Sequence, residues 1–126
     1  MARILIVDDE RDLATMLQFL LEKDGHSVTA ASDGREALAV LGIDPPDGGR
    51  ELPDLALVDL MMPQVDGLEL SARMHADPRA KSVKVLMLTG KGAAVKGTPN
   101  IAALVDKPFD PKDLRALIAR VLAGKA

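Results

Sequence analysis

Five short runs of mostly apolar residues, at 4–7, 28–31, 55–58, 83–88 and 102–105, restrict the fold of this chain more than any other feature. Thr29 and Lys84 are the only interruptions, so most runs are continuous rather than alternating. That is the pattern of strands covered on both faces. Helical spacing fills the gaps. Leu13, Met16, Leu17, Leu20 and Leu21 follow the 0, 3, 4, 7, 8 rhythm of one helix face, and Gly25 stands just beyond as a C-terminal stop. A second helix is predicted at about 33–41 and a third from 66 to about 75. Asp110 can cap the last helix, Pro111 suits its first position, and Leu114, Leu117, Ile118, Val121 and Leu122 repeat the rhythm. Alternating strands and helices joined by short connections imply a doubly wound α/β fold, a parallel sheet with helices on both faces.

Two segments break the alternation. Residues 42–53 hold three prolines and three glycines and read as a long exposed loop. Residues 91–100 contain Gly92, Gly97 and Pro99 where a fourth helix belongs, so that helix is expected to be weak, short or absent. With 126 residues, 48% of them hydrophobic, the chain suits one domain with a real core and is not disordered. The absence of cysteine excludes a disulfide framework, a thiol nucleophile and a thiolate metal site. The first apolar run is too short for a signal peptide or a membrane span, which gives a cytoplasmic expectation with no membrane partner.

In open parallel sheets, ligands bind beyond the carboxyl ends of the strands. The first run is followed by Asp8, Asp9 and Glu10, and the third by Asp59. Thr89 and Gly90 follow the fourth, and Asp106, Lys107 and Pro108 follow the fifth. Taken singly, each has a structural reading. Asp8 or Asp9 could cap a helix, Asp59 could shape a turn, Thr89 could bond the backbone, and Lys107 could be a solvated loop lysine. Together they point to chemistry. Unit charges ~4 Å apart interact by about 4 kcal/mol at an effective dielectric near 20. Three carboxylates on one rim therefore need more than a single lysine. Mg²⁺, which binds through few carboxylates and completes its shell with water and phosphate oxygens, fits the deficit. Such a site suits phosphoryl transfer to a carboxylate.

The motifs Ile4-Leu5-Ile6-Val7-Asp8-Asp9-Glu10, Asp59-Leu60-Met61-Met62-Pro63 with Asp66-Gly67, Leu88-Thr89-Gly90 and Lys107-Pro108-Phe109 occur in this order. With them, from Arg3 to about Ala123, the sequence resembles a receiver domain of a two-component response regulator. The resemblance implies a flavodoxin-like five-stranded parallel sheet in the order 2-1-3-4-5, and one receiver domain over residues 1–126 with no output domain in this chain. It implies Asp59 as phosphoacceptor. Asp9 and Asp59 would ligate Mg²⁺ directly, Asp8 mainly through water, and the Met61 backbone carbonyl would complete the protein ligands. Lys107 would pair with phosphoryl oxygens, and the Thr89 hydroxyl and Gly90 amide would bond them after transfer. A cis Lys107–Pro108 peptide is implied as well. The donor would be a sensor histidine kinase or a histidine phosphotransfer protein. The chain would thus be a signalling receiver with intrinsic Mg²⁺-dependent phosphoryl acceptance and slow autodephosphorylation, not an enzyme.

Two departures stand out. Leu104 occupies a position where the family usually carries an aromatic, and the stretch from Thr89 to Lys107 is short. They leave a rival reading, a pseudo-receiver that only binds partners. A haloacid dehalogenase-type phosphatase would need two aspartates separated by one residue, which Asp8-Asp9-Glu10 does not supply. The segment from Gly92 to Thr98 lacks the lysine of a nucleotide-binding P-loop. Charge is distributed unevenly. Residues 1–78 carry 6 Lys/Arg against 16 Asp/Glu, whereas residues 79–126 carry 10 against 3. Lys91, Lys96, Lys112, Arg115, Arg120 and Lys125 are expected to give a basic surface, read either as plain solvated charge or as a site for an acidic protein target, on the face where receivers commonly form a homodimer or meet targets. Phe19 and Phe109 are the only aromatics, which argues against nucleic-acid binding by base stacking. Phosphorylation is expected to order residues 90–100.

Overall fold

The computed structural model describes residues 2–62, 64–90 and 99–124. In it, β1 (Arg3–Val7), α1 (Arg11–Lys23), β2 (Ser27–Ala31), α2 (Gly34–Val40), β3 (Leu55–Asp59) and α3 (Gly67–Ala76) alternate along the chain. A 3-10 turn (Ala80–Ser82), β4 (Lys84–Thr89), β5 (Ile101–Asp106) and α4 (Pro111–Leu122) follow. The strands are all parallel, in the order β2-β1-β3-β4-β5. Each lies within one residue of its apolar run. Of the segment 91–100, where a fourth helix is expected to be weak, short or absent, residues 91–98 with Lys91 and Lys96 lie outside the described residues, as does Lys125.

The central strands are buried on both faces. Their alternate side chains feed two separate cores. Leu5, Val7, Ala56, Val58, Val85 and Met87 point to α2 and α3, where Leu38, Leu70 and Met74 meet them. Ile4, Ile6, Leu55, Leu57 and Leu86 point the other way, to Leu17 and Leu21 of α1 and Leu114, Ile118 and Val121 of α4. Each such large aliphatic side chain contributes about 1.5–3 kcal/mol when fully buried. The edges differ from the sequence expectation. Ser27, Thr29 and Ala30 of β2 and Leu104 and Asp106 of β5 are exposed, because an edge strand has a strand neighbour on one side only.

The helix ends follow local chemistry. Asp33, Asp66 and Asp110 accept hydrogen bonds from the amides of Glu36, Glu69 and Lys112 at the starts of α2, α3 and α4. Gly25, just past α1, adopts φ 93°, as its place predicts. The apolar stripe of α1 is narrower than its spacing suggests. Ala14, Leu17 and Leu21 are buried, while Met16 is 38% exposed. Met16 instead lines a groove of about 340 Å³ with Leu13, Pro108, Phe109, Glu10 and Lys107.

Candidate functional site

The sheet order brings the ends of β1 and β3 together, with β4 and β5 beyond. Asp8 follows β1 and is 1% exposed; Asp59 closes β3 and is 7% exposed. Asp9 is exposed. Carboxylate oxygens of Asp8, Asp9 and Asp59 lie within 4.8 Å of one another. Neither Asp8 nor Asp9 caps α1, whose N-cap is Glu10 and has no side-chain capping bond. Asp8 Oδ1 accepts from the Glu10 amide at 2.8 Å, and Asp59 Oδ1 accepts from the Met61 amide at 3.2 Å. Met61 is 73% exposed, and Pro63 lies outside the described residues. These turns aim the carboxylates at one small volume.

Lys107 reaches that volume from the opposite end of the sequence. Its Nζ donates to Asp8 Oδ2 at 2.9 Å across 99 residues. It lies 3.5 Å from Asp59 Oδ2 and 3.8 Å from Glu10 Oε1. The Lys107–Pro108 peptide is cis, as the resemblance implies. Burial holds the Asp59 carboxyl above the usual carboxylate range, helped by the neighbouring Asp8 and Asp9 charges; Lys107 and the Met61 amide act against the rise. Burial disfavours the charge on Lys107, yet its hydrogen bond to Asp8 and the charges of Asp8, Asp59 and Glu10 prevail and raise its pKa.

One ammonium among three carboxylates leaves an excess of negative charge. At the spacing found here each carboxylate pair repels by about 3 kcal/mol for an effective dielectric near 20. The donors are hard oxygens clustered at a water-accessible rim, which fits a divalent cation such as Mg²⁺. Asp8, Asp9 and Asp59 could hold one.

The rest of the rim is equally ordered. Thr89, at the end of β4, is 1% exposed. Its hydroxyl donates to Asp106 Oδ1 at 3.0 Å, and its carbonyl accepts from the Lys107 amide at 2.8 Å. Gly90 follows, exposed, with no described residue within 4 Å of where a side chain would stand. Sequence reasoning named Asp106 only as part of the rim; its position in register with Thr89 shows what its side chain meets. The weight of Gly67 was also missed. A Cβ there would lie 2.6 Å from the Asp59 carbonyl oxygen and 2.8 Å from Met87 Sδ. Its amide donates to the Leu60 carbonyl at 3.0 Å, so α3 packs directly under the end of β3. The absent side chain is what allows the approach.

The response regulator receiver domain family matches residues 4–119, nearly the whole described fold. The chain belongs to this family. The receiver is 34% identical over 124 residues to the alkaline phosphatase synthesis transcriptional regulatory protein PhoP of Bacillus subtilis, covering 95% of this chain and 48% of that one. It therefore spans about half the length of that relative. A putative response regulator from Chloroflexus aurantiacus superposes with TM-score 0.82 at 32% identity, over 97% of this chain and 98% of the other. The response regulator TrrA from Thermotoga maritima, solved in complex with Mg²⁺ and a beryllium fluoride, gives TM-score 0.78 at 27% identity over 96% and 99%. Among the described residues no helix is long and apolar enough to cross a membrane.

The basic half of the receiver is partly occupied by internal contacts. Arg115 is paired with Asp24, its Nε donating to Asp24 Oδ2 at 2.8 Å. Lys84 Nζ donates to the Val121 carbonyl at 3.0 Å, and Arg79 to the Arg50 carbonyl at 2.7 Å. Lys112 and Arg120 are exposed.

Proposed function

We propose that this receiver accepts a phosphoryl group on Asp59 from a phosphohistidine of a sensor kinase or histidine phosphotransfer protein, in the cytoplasm, and signals through a changed protein-binding surface. The observation that carries this reading is Lys107, held between Asp8 and a buried Asp59 whose carboxylate opens onto the acidic rim. An Asp59 oxygen attacks phosphorus; the P–O bond forms as the P–N bond breaks, and the leaving imidazole takes a proton from solvent. Lys107, 3.5 Å from Asp59 Oδ2, would balance charge on the phosphoryl oxygens. Asp8, Asp9, Asp59 and the Met61 carbonyl would hold Mg²⁺, which supplies charge neutralisation when bound. Afterwards the Thr89 hydroxyl and the Gly90 amide bond the phosphoryl oxygens. Hydrolysis reverses the state: water attacks phosphorus, the bond to Asp59 breaks, and a proton passes to solvent.

Leu104, 44% exposed on β5, favours the second reading, a pseudo-receiver whose surface binds partners without phosphorylation. Acetyl phosphate with Mg²⁺ separates the two. A hydroxylamine-labile phosphate should appear on the wild type and be lost in Asp59→Asn, since an amide cannot form the acyl phosphate. No label on folded wild type, or equal label on both proteins, overturns the phosphoacceptor assignment. The output surface is proposed to include the exposed Lys112 and Arg120, facing an acidic protein target or a second copy.

A further inference from the structure

The Thr89 hydroxyl has one proton to donate, and in this structure Asp106 accepts it. The backbone around this contact is fixed. Thr89 and Asp106 are register partners on neighbouring strands, and the Thr89 carbonyl is bonded by the Lys107 amide. Only the side chain of Thr89 is left to turn. Asp106 is exposed, and among the described residues no basic side chain forms an ion pair with it. Its carboxylate is thus an acceptor for Thr89 at the mouth of the site, where a phosphoryl oxygen would compete for the same proton.

Resting on the phosphoacceptor reading, we propose that Asp106 is a positioning residue: it holds the Thr89 hydroxyl away from the phosphoryl group, lowers the site's affinity for that group, and is released when Thr89 turns. The hydroxyl cannot serve both acceptors at once. Phosphorylation exchanges the Asp106 bond for one to the phosphoryl oxygen and leaves a free carboxylate at the end of β5. The edge strand that carries Leu104 then loses this side-chain hydrogen bond without any aromatic ring having to move.

The test is titration with beryllium fluoride and Mg²⁺, a phosphoryl analogue, followed by calorimetry on wild type, Asp106→Val, Asp106→Asn, Thr89→Val and the Thr89→Val/Asp106→Val double variant. Asp106→Val should tighten binding about fivefold, the weight of one net hydrogen bond. Asp106→Asn keeps an acceptor without the charge and should tighten it by less. In the Thr89→Val background the same Asp106→Val change should alter affinity less than about twofold, because the shared bond is already gone. Equal tightening in both backgrounds would mean that Asp106 acts only through its charge and overturns the proposal. So would unchanged or weaker binding by an Asp106→Val protein that melts like wild type. If folded wild type and all variants fail to bind the analogue, the phosphoacceptor reading falls, and this inference with it.

Discussion

Asp59 carries a conflict between stability and chemistry. Its carboxyl is held above the ordinary carboxylate range of ~3.9 by burial first, with the charges of Asp8 and Asp9 adding to the rise. The folded protein therefore binds this proton more tightly than the unfolded chain does. Its contribution to stability is full at pH below ~3.9 and is lost as pH rises through the higher folded value. In EDTA, Asp59→Asn should melt close to wild type near pH 4 and above it at pH 7, by about 4 °C for each kcal/mol of relieved repulsion. A variant melting below wild type at pH 7 would contradict this. Lys107 has the same sense in a higher pH window, although there it is the charged form that the fold favours. Its raised pKa means that its stabilising charge persists below ~10.4 and is lost only as pH climbs through the folded value. The residue scale also shows where sequence reading stops. Asp8, Asp9, Asp59, Thr89 and Lys107 were legible because each follows an apolar run. The Thr89–Asp106 bond was not, because it depends on the register between β4 and β5, which no local pattern encodes.

At the scale of elements, boundaries were legible because short apolar runs and aspartate caps are local signals. Asp110 and Pro111 at the start of α4 are an example. Side-chain exposure was less so. Met16 fits the periodicity of α1 yet is exposed, since the sheet meets only part of that stripe, and the edge strands β2 and β5 lack a second neighbour. The junction of β3 and α3 is the element pair on which the site most depends. Gly67→Ala would drive a methyl group to within 2.6 Å of the Asp59 carbonyl oxygen. Backbone must move to admit it. Chemical denaturation should show a loss of about 1–3 kcal/mol, and the labelling rate of Asp59 should fall as its carboxylate is displaced. Gly90→Ala adds the same methyl group where, among the described residues, nothing stands within 4 Å and should leave stability near wild type.

For the whole molecule, a cation bound by the folded rim and not by the unfolded chain must raise the melting temperature. At a concentration 100 times its Kd the gain is about 2.7 kcal/mol. Mg²⁺ should therefore raise the melting temperature of wild type. Asp9→Ala should lose most of that shift, whereas Thr89→Ala should keep it. A wild-type Mg²⁺ response in Asp9→Ala would remove Asp9 from the metal site. The same global dependence has a consequence during synthesis. Asp8 and Lys107 are separated by 99 residues yet hydrogen-bonded. At about 5–20 residues per second a ribosome needs roughly 5–20 s to travel from one codon to the other. Throughout that interval the nascent chain carries its aspartates without the lysine that binds them together. Under the phosphoacceptor proposal, a chain released before Lys107 lacks the ammonium that faces Asp8 and Asp59 and should take no label.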